Sequence, residues 1–161
     1  MKSSLRPTVQ ALLIADHVDS DLTTGRKIVF GILHHLNVSP DSHRIRPQGP
    51  STSGQSTPAD QHRSGSPFVY LNLNNVRGTQ PLVLRYVNLA NDNVCFECEF
   101  EVASDDPLSP NEVVIPLPSL PVNRAGTFAL ELLWHDEPLG VHRITVASSE
   151  DPVPIEGDLH G

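Results

Sequence analysis

The sequence holds little of what enzymes and secreted domains usually need. Its two cysteines, Cys95 and Cys98, stand three positions apart, which excludes a disulfide framework and points to a reducing cytoplasm. A glycine-rich phosphate loop, a dinucleotide fingerprint, a G-x-S-x-G elbow and an H-E-x-x-H helix are all missing, so no familiar catalytic motif is present. Basic residues are scarce, 11 against 19 acids, and the resulting charge of −8 opposes non-specific binding to nucleic acid or to an anionic membrane surface. Long apolar runs are missing too. Met1 to Pro7 lead only into the short stretch Ala11-Leu12-Leu13-Ile14-Ala15 before Asp16, which reads as neither signal peptide nor membrane span. Aromatic residues make up 5 % and the 15 prolines outnumber the 10 glycines, so part of the length is expected to lie outside the core, in loops.

What is present is alternation. Phe128, Leu130, Leu132 and Trp134 recur every second residue, as do Ile144 and Val146, the period of strands with one face on a core. Placing Trp134 opposite His142, Leu132 opposite Ile144 and Leu130 opposite Val146 keeps the apolar residues together. That register predicts a hairpin whose three-residue loop is Glu137-Pro138-Leu139, with Gly140 at a left-handed position beside it. Two long strands over residues 9–18 and 28–38 flank a turn containing Asp19, Asp21, Thr23, Thr24 and Gly25. In the second of them Ile28, Phe30, Ile32, His34, Leu36 and Val38 share one face, which the pattern commits to the interior. Further strand signals cover residues 68–73, 82–89, 94–102, 112–117, 127–134 and 141–146, separated by turn-rich links.

About eight short strands without a helical stretch predict an all-β fold, a two-sheet antiparallel β-sandwich of Greek-key, immunoglobulin-like type, with a closed barrel as runner-up. A single domain over residues 8–148 is expected, between a flexible amino terminus (1–7) and a flexible acidic tail (149–161). It is interrupted at 39–66, a Pro/Ser/Gly-rich stretch too polar to offset an ordering cost of roughly 1–2 kcal/mol per backbone residue.

Four groups invite a functional reading. Cys95-Phe96-Glu97-Cys98 has the C-x-x-C spacing, but within a strand its thiols point to opposite faces, Cys98 inward and Cys95 outward, so they share no ion. The eight histidines could ligate a metal, yet His34 and His35 face opposite ways, as do His135 and His142, which leaves His34 and His142 as rim members of the core. Asp16, Asp19 and Asp21 form an acidic cluster at a strand-connecting turn, a donor set for calcium if Asp105 and Asp106 approach from another loop. Pro116-Leu117-Pro118-Ser119-Leu120-Pro121 could adopt the polyproline helix that partner grooves accept, although an edge strand leaving its sheet explains the run as well.

The segments Ala11-Leu12-Leu13-Ile14-Ala15-Asp16, Thr24-Gly25-Arg26-Lys27-Ile28-Val29-Phe30-Gly31 and Ala125-Gly126-Thr127-Phe128-Ala129-Leu130-Glu131-Leu132-Leu133-Trp134 resemble an uncharacterised family of bacterial all-β domains of unknown function. The resemblance covers most of the chain outside residues 39–66, which stand where a short connection is usual. It implies a single cytoplasmic sandwich and brings no activity, ligand or cofactor with it. The expectation is therefore a non-catalytic binding or assembly module with a protein partner or as a homo-oligomer, without nucleic acid or membrane. The alternative is a metal-dependent, calcium-type site for ligand binding or hydrolysis on the turn carrying Asp16, Asp19 and Asp21.

Overall fold

The computed structural model describes residues 6–38, 67–118 and 125–148. The stretch 39–66, the tail 149–161 and residues 119–121 of the proline motif lie outside the described residues. Among the described residues nine strands follow one another: β1 (Thr8–Ser20), β2 (Lys27–Ile32), β3 (His35–Val38), β4 (Phe68–Asn74), β5 (Gly78–Asn88), β6 (Asn93–Ser104), β7 (Asn111–Pro116), β8 (Gly126–Trp134) and β9 (Glu137–Ser148). They form a four-stranded sheet in the order β2-β1-β4-β7 and a five-stranded sheet in the order β3-β9-β8-β5-β6. The pairs β4–β7, β5–β8 and β8–β9 have the B–E, C–F and F–G relationships of an immunoglobulin-type Greek key, with β1 inserted between β2 and β4.

Alternation places the core between the sheets. Leu12 with Leu71 and Ile14 with Val69 form inward rows of the four-stranded sheet; Leu84 with Leu132, Tyr86 with Leu130 and Phe128 with Ile144 form those of the other. All ten are buried. Tyr86 stacks on Phe128 at 5.2 Å between ring centroids, and Trp134 Nε1 donates to Gln80 Oε1 at 3.0 Å, so the large aromatics are oriented as well as buried.

The last hairpin departs from the expected register. Leu130 pairs with His142, Phe128 with Ile144 and Leu132 with Gly140, a slip of four positions along β9. The even number keeps every side chain on its expected face, so Leu132 and Ile144 remain buried. The turn is His135-Asp136, both with positive φ (49° and 62°), as a two-residue type I′ turn requires. The predicted loop residues Glu137 to Leu139 thus belong to β9. A bulge there leaves Leu139 as the extra residue and accommodates Pro138. Gly140 has no left-handed role: a Cβ on it would stand 3.3 Å from Val9 Cγ1, and its smallness lets β1 and β9 approach.

The second expected strand is two strands. β2 pairs with β1, whereas β3 belongs to the opposite sheet and runs parallel to β9, with His35 opposite Thr145 and Leu36 opposite Val146. The crossing begins at Gly31, where φ is +62° and an added Cβ would fall 2.3 Å from Asp16 Oδ2. Both conditions select glycine. Leu33 N–H then donates to Ile14 O and Thr145 N–H to His34 O, so backbone bonds carry the chain from one sheet to the other.

Candidate interaction face

The face that alternation assigned to the interior splits at this crossing. Leu36, in β3, is buried, but Ile28, Phe30 and Ile32 are 41 %, 48 % and 45 % exposed. The register explains the outcome. Ile32 pairs with Ala15, Phe30 with His17 and Ile28 with Asp19, on the opposite side of β1 from Leu12 and Ile14, so these three side chains occupy the outer face of the four-stranded sheet. A period of two separates two faces without saying which one meets the core.

The outer face is apolar well beyond β2. Leu13 pairs with Tyr70 and Ala15 with Phe68, which continue into Val114 and Pro116 of β7. His17 bridges the rows, stacked on Phe30 at 6.2 Å and edge-on to Phe68 at 5.8 Å. The Tyr70 hydroxyl donates to Glu112 Oε1, and burial, reinforced by that carboxylate, raises the phenol's pKa. An antiparallel sheet with one face on a core normally turns polar residues outward. Here most of the outward rows are hydrocarbon.

The end of this sheet also projects. β4 accompanies β1 only from Thr8 to Ala15, so beyond Ala15 the chain continues as the two-stranded ribbon of β1 and β2. Asp21 closes the ribbon by accepting the N–H groups of Thr23 (2.7 Å) and Thr24 (3.0 Å), bonds that hold its carboxyl below the ordinary range. A two-stranded ribbon is marginal in water by itself.

Asp16, Asp19 and Asp21 serve separate purposes. The Asp16 carboxyl lies over Gly31, and its pKa is raised by burial. Asp19 Oδ1 lies 3.2 Å from His17 Nε2, and Asp21 is engaged by its own turn. Asp106 caps another loop, accepting from Leu108 N–H and the Ser109 hydroxyl. That loop bonds Asn75 through Pro107 O, and Asn75 in turn bonds Thr8 Oγ1 at the far end of β1. About 40 Å of strand, at ~3.3 Å per residue, therefore separates it from Asp21. Among the described residues no three His, Cys, Asp or Glu side chains come together as a metal site.

The thiols differ from expectation on one side. Cys98 faces inward, half-buried, with its pKa raised by burial and then by Glu97. Cys95 is half-buried as well, because a bulge between its neighbours' pairings, Tyr86 with Phe96 and Val87 with Val94, turns it toward the core edge. Both are free. His142 is buried and its Nε2–H donates to Leu33 O at 2.8 Å, whereas His34 stacks on it from the exposed side at 5.1 Å. Pro116 ends β7, an edge strand, as the economical reading of the proline motif requires.

No protein-family model matches the chain, and no curated protein matches it. Among the described residues no helix is long and apolar enough to cross a membrane.

Proposed function

We propose that this chain is a non-catalytic binding or assembly module of the bacterial cytoplasm, related to the all-β family it resembles, and that it engages protein through the outer face of the four-stranded sheet. The observation that carries this reading is the exposure of Ile28, Phe30 and Ile32 in one row, continuous with the half-buried Leu13, Phe68 and Tyr70. Burying that row against a partner removes apolar area from water at about 25 cal/mol per Å². The net charge of −8 favours a protein surface over phosphate-rich ones.

The environment-sensitive dye bis-ANS is the probe. Dilute native protein is expected to enhance its fluorescence, and Phe30→Ser to reduce that enhancement severalfold while costing no more than about 1–1.5 kcal/mol of stability, because half of the ring already meets water. Absence of dye binding would refute the reading. So would a loss of about 3–5 kcal/mol in Phe30→Ser, the signature of a core aromatic.

A further inference from the structure

Four strands of the described sheets lie at an edge, and three of them are blunted. β3 has four residues, β7 ends in Pro116, and β6 presents Glu97, Glu99 and Glu101 along its outward side. These are the devices that keep sheet edges from pairing with other chains. β2 carries Ile28, Phe30 and Ile32 instead, on a ribbon that stands clear of β4.

The charges around β2 have a directional arrangement. Lys27 begins the strand, and the Asp16 carboxyl lies over Gly31 near its end, where an added Cβ would meet it. Ser20 pairs with Lys27 and Val18 with Val29, so by alternation Lys27, Gly31 and Asp16 belong to one face of the ribbon and the isoleucines and Phe30 to the other. An antiparallel copy of β2 placed along the free edge, with its two-fold axis at Val29, sets Ile28 opposite Phe30. The same operation sets Lys27 opposite Gly31, and hence beside the Asp16 carboxylate of the other copy. Both contacts occur twice. In the isolated chain the Lys27 ammonium donates to Ser20 Oγ at 2.6 Å, which leaves it two further donors.

We infer that β2 is a self-pairing edge: two copies of this chain join antiparallel through β2, forming one continuous eight-stranded sheet with an unbroken apolar outer face and two symmetric Lys27–Asp16 ion pairs. A two-fold interface must be self-complementary, and this edge is so in backbone, in hydrocarbon and in charge. The inference rests on the binding reading of the same face and names the occupant of its edge.

Sedimentation velocity of the full chain between roughly 1 µM and 1 mM reads the association directly. Wild type is expected to shift from monomer to dimer across that range. K27E and D16K should each weaken association about tenfold or more, because each replaces two attractive pairs by two repulsive ones. An equimolar mixture of K27E and D16K should regain wild-type association, since in the mixed dimer both pairs are again opposite in sign. F30S, at an exposed position, serves as a third variant should D16K fold poorly, and it too should favour the monomer. Wild type that stays monomeric throughout, or variants that all associate like wild type, would overturn the inference. Bis-ANS separates the two levels: a monomer that binds the dye through Phe30 leaves the binding reading standing without this pairing, and a monomer that does not bind it removes both.

Discussion

Replacing Gly31 by alanine tests the crossing that gives the outer face its identity. At φ +62° an L residue pays roughly 1–2 kcal/mol relative to glycine. The new methyl would lie 2.3 Å from Asp16 Oδ2, 2.9 Å from its Cγ and 3.1 Å from its Cβ. Swinging that side chain aside adds about 0.5–1.5 kcal/mol of rotamer cost. The smaller entropy of the unfolded alanine chain returns about 0.4–1 kcal/mol. Gly31→Ala should therefore destabilise by about 0.5–3 kcal/mol net, which at mid-range is a fall in melting temperature on the order of 5–10 °C for a domain of this size. Asp16→Ala alone should be neutral or slightly stabilising at neutral pH, because burial raises the Asp16 pKa and the folded state disfavours its charged form. Combined with Gly31→Ala, it should recover the steric part and leave the dihedral part. Thermal melts of the four proteins, dilute enough to be monomeric, complete the cycle. A neutral Gly31→Ala, or a cost wholly recovered by Asp16→Ala, would show that the chain does not turn left-handed here.

Leu132→Ala should cost about 2–5 kcal/mol by denaturant unfolding, from lost transfer energy plus a residual cavity. Glu131→Ala should cost about 1 kcal/mol, since Glu131 meets Arg85 at 3.2 Å in a half-buried pair; equal losses at the two sites would mean that the outer face of the five-stranded sheet is covered. For Asp21 the sign follows from its lowered pKa: the turn's contribution is present above the unfolded carboxyl's pKa and is lost as pH falls through the folded one. The gap in melting temperature between wild type and Asp21→Ala should thus be open at neutral pH and close below the usual carboxylate range, and a gap independent of pH would contradict the turn geometry.

Strand positions were legible because Leu82, Leu84 and Tyr86, or Phe128, Leu130 and Leu132, alternate with residues that face outward. The separation into two faces was legible for the same reason. Which face of β2 meets the core was not, because exposed hydrocarbon on a strand has the same period as buried hydrocarbon. The inward positions of that strand, Lys27, Val29 and Gly31, carry the weaker apolar signal. Bulges at Cys95 and Leu139 were hidden as well, since one extra residue shifts a pairing without altering composition. The final turn is not legible because His135-Asp136 adopts left-handed dihedrals without glycine, which its own hairpin twist rewards. The exposed apolar face of β2 therefore follows from register, while Asp19 lies beside His17 and Asp21 accepts hydrogen bonds within its own turn.

The parallel pairing of β3 with β9 also orders events in time. His142 and Leu33, which close it, stand 109 positions apart, and bringing such distant segments together costs about 4 kcal/mol of chain entropy, against very little for the two-residue turn of β8 and β9. The β1–β2 ribbon can form as soon as its own residues exist, whereas β3 must wait for a strand made much later. Until the two meet, the edges of β3 and β9 are both bare, and an identical chain at high concentration offers the same complementary strand. Refolding should accordingly slow at its final step, and crowding many copies together during that step favours exchange of the amino-terminal strands between molecules over closure within one.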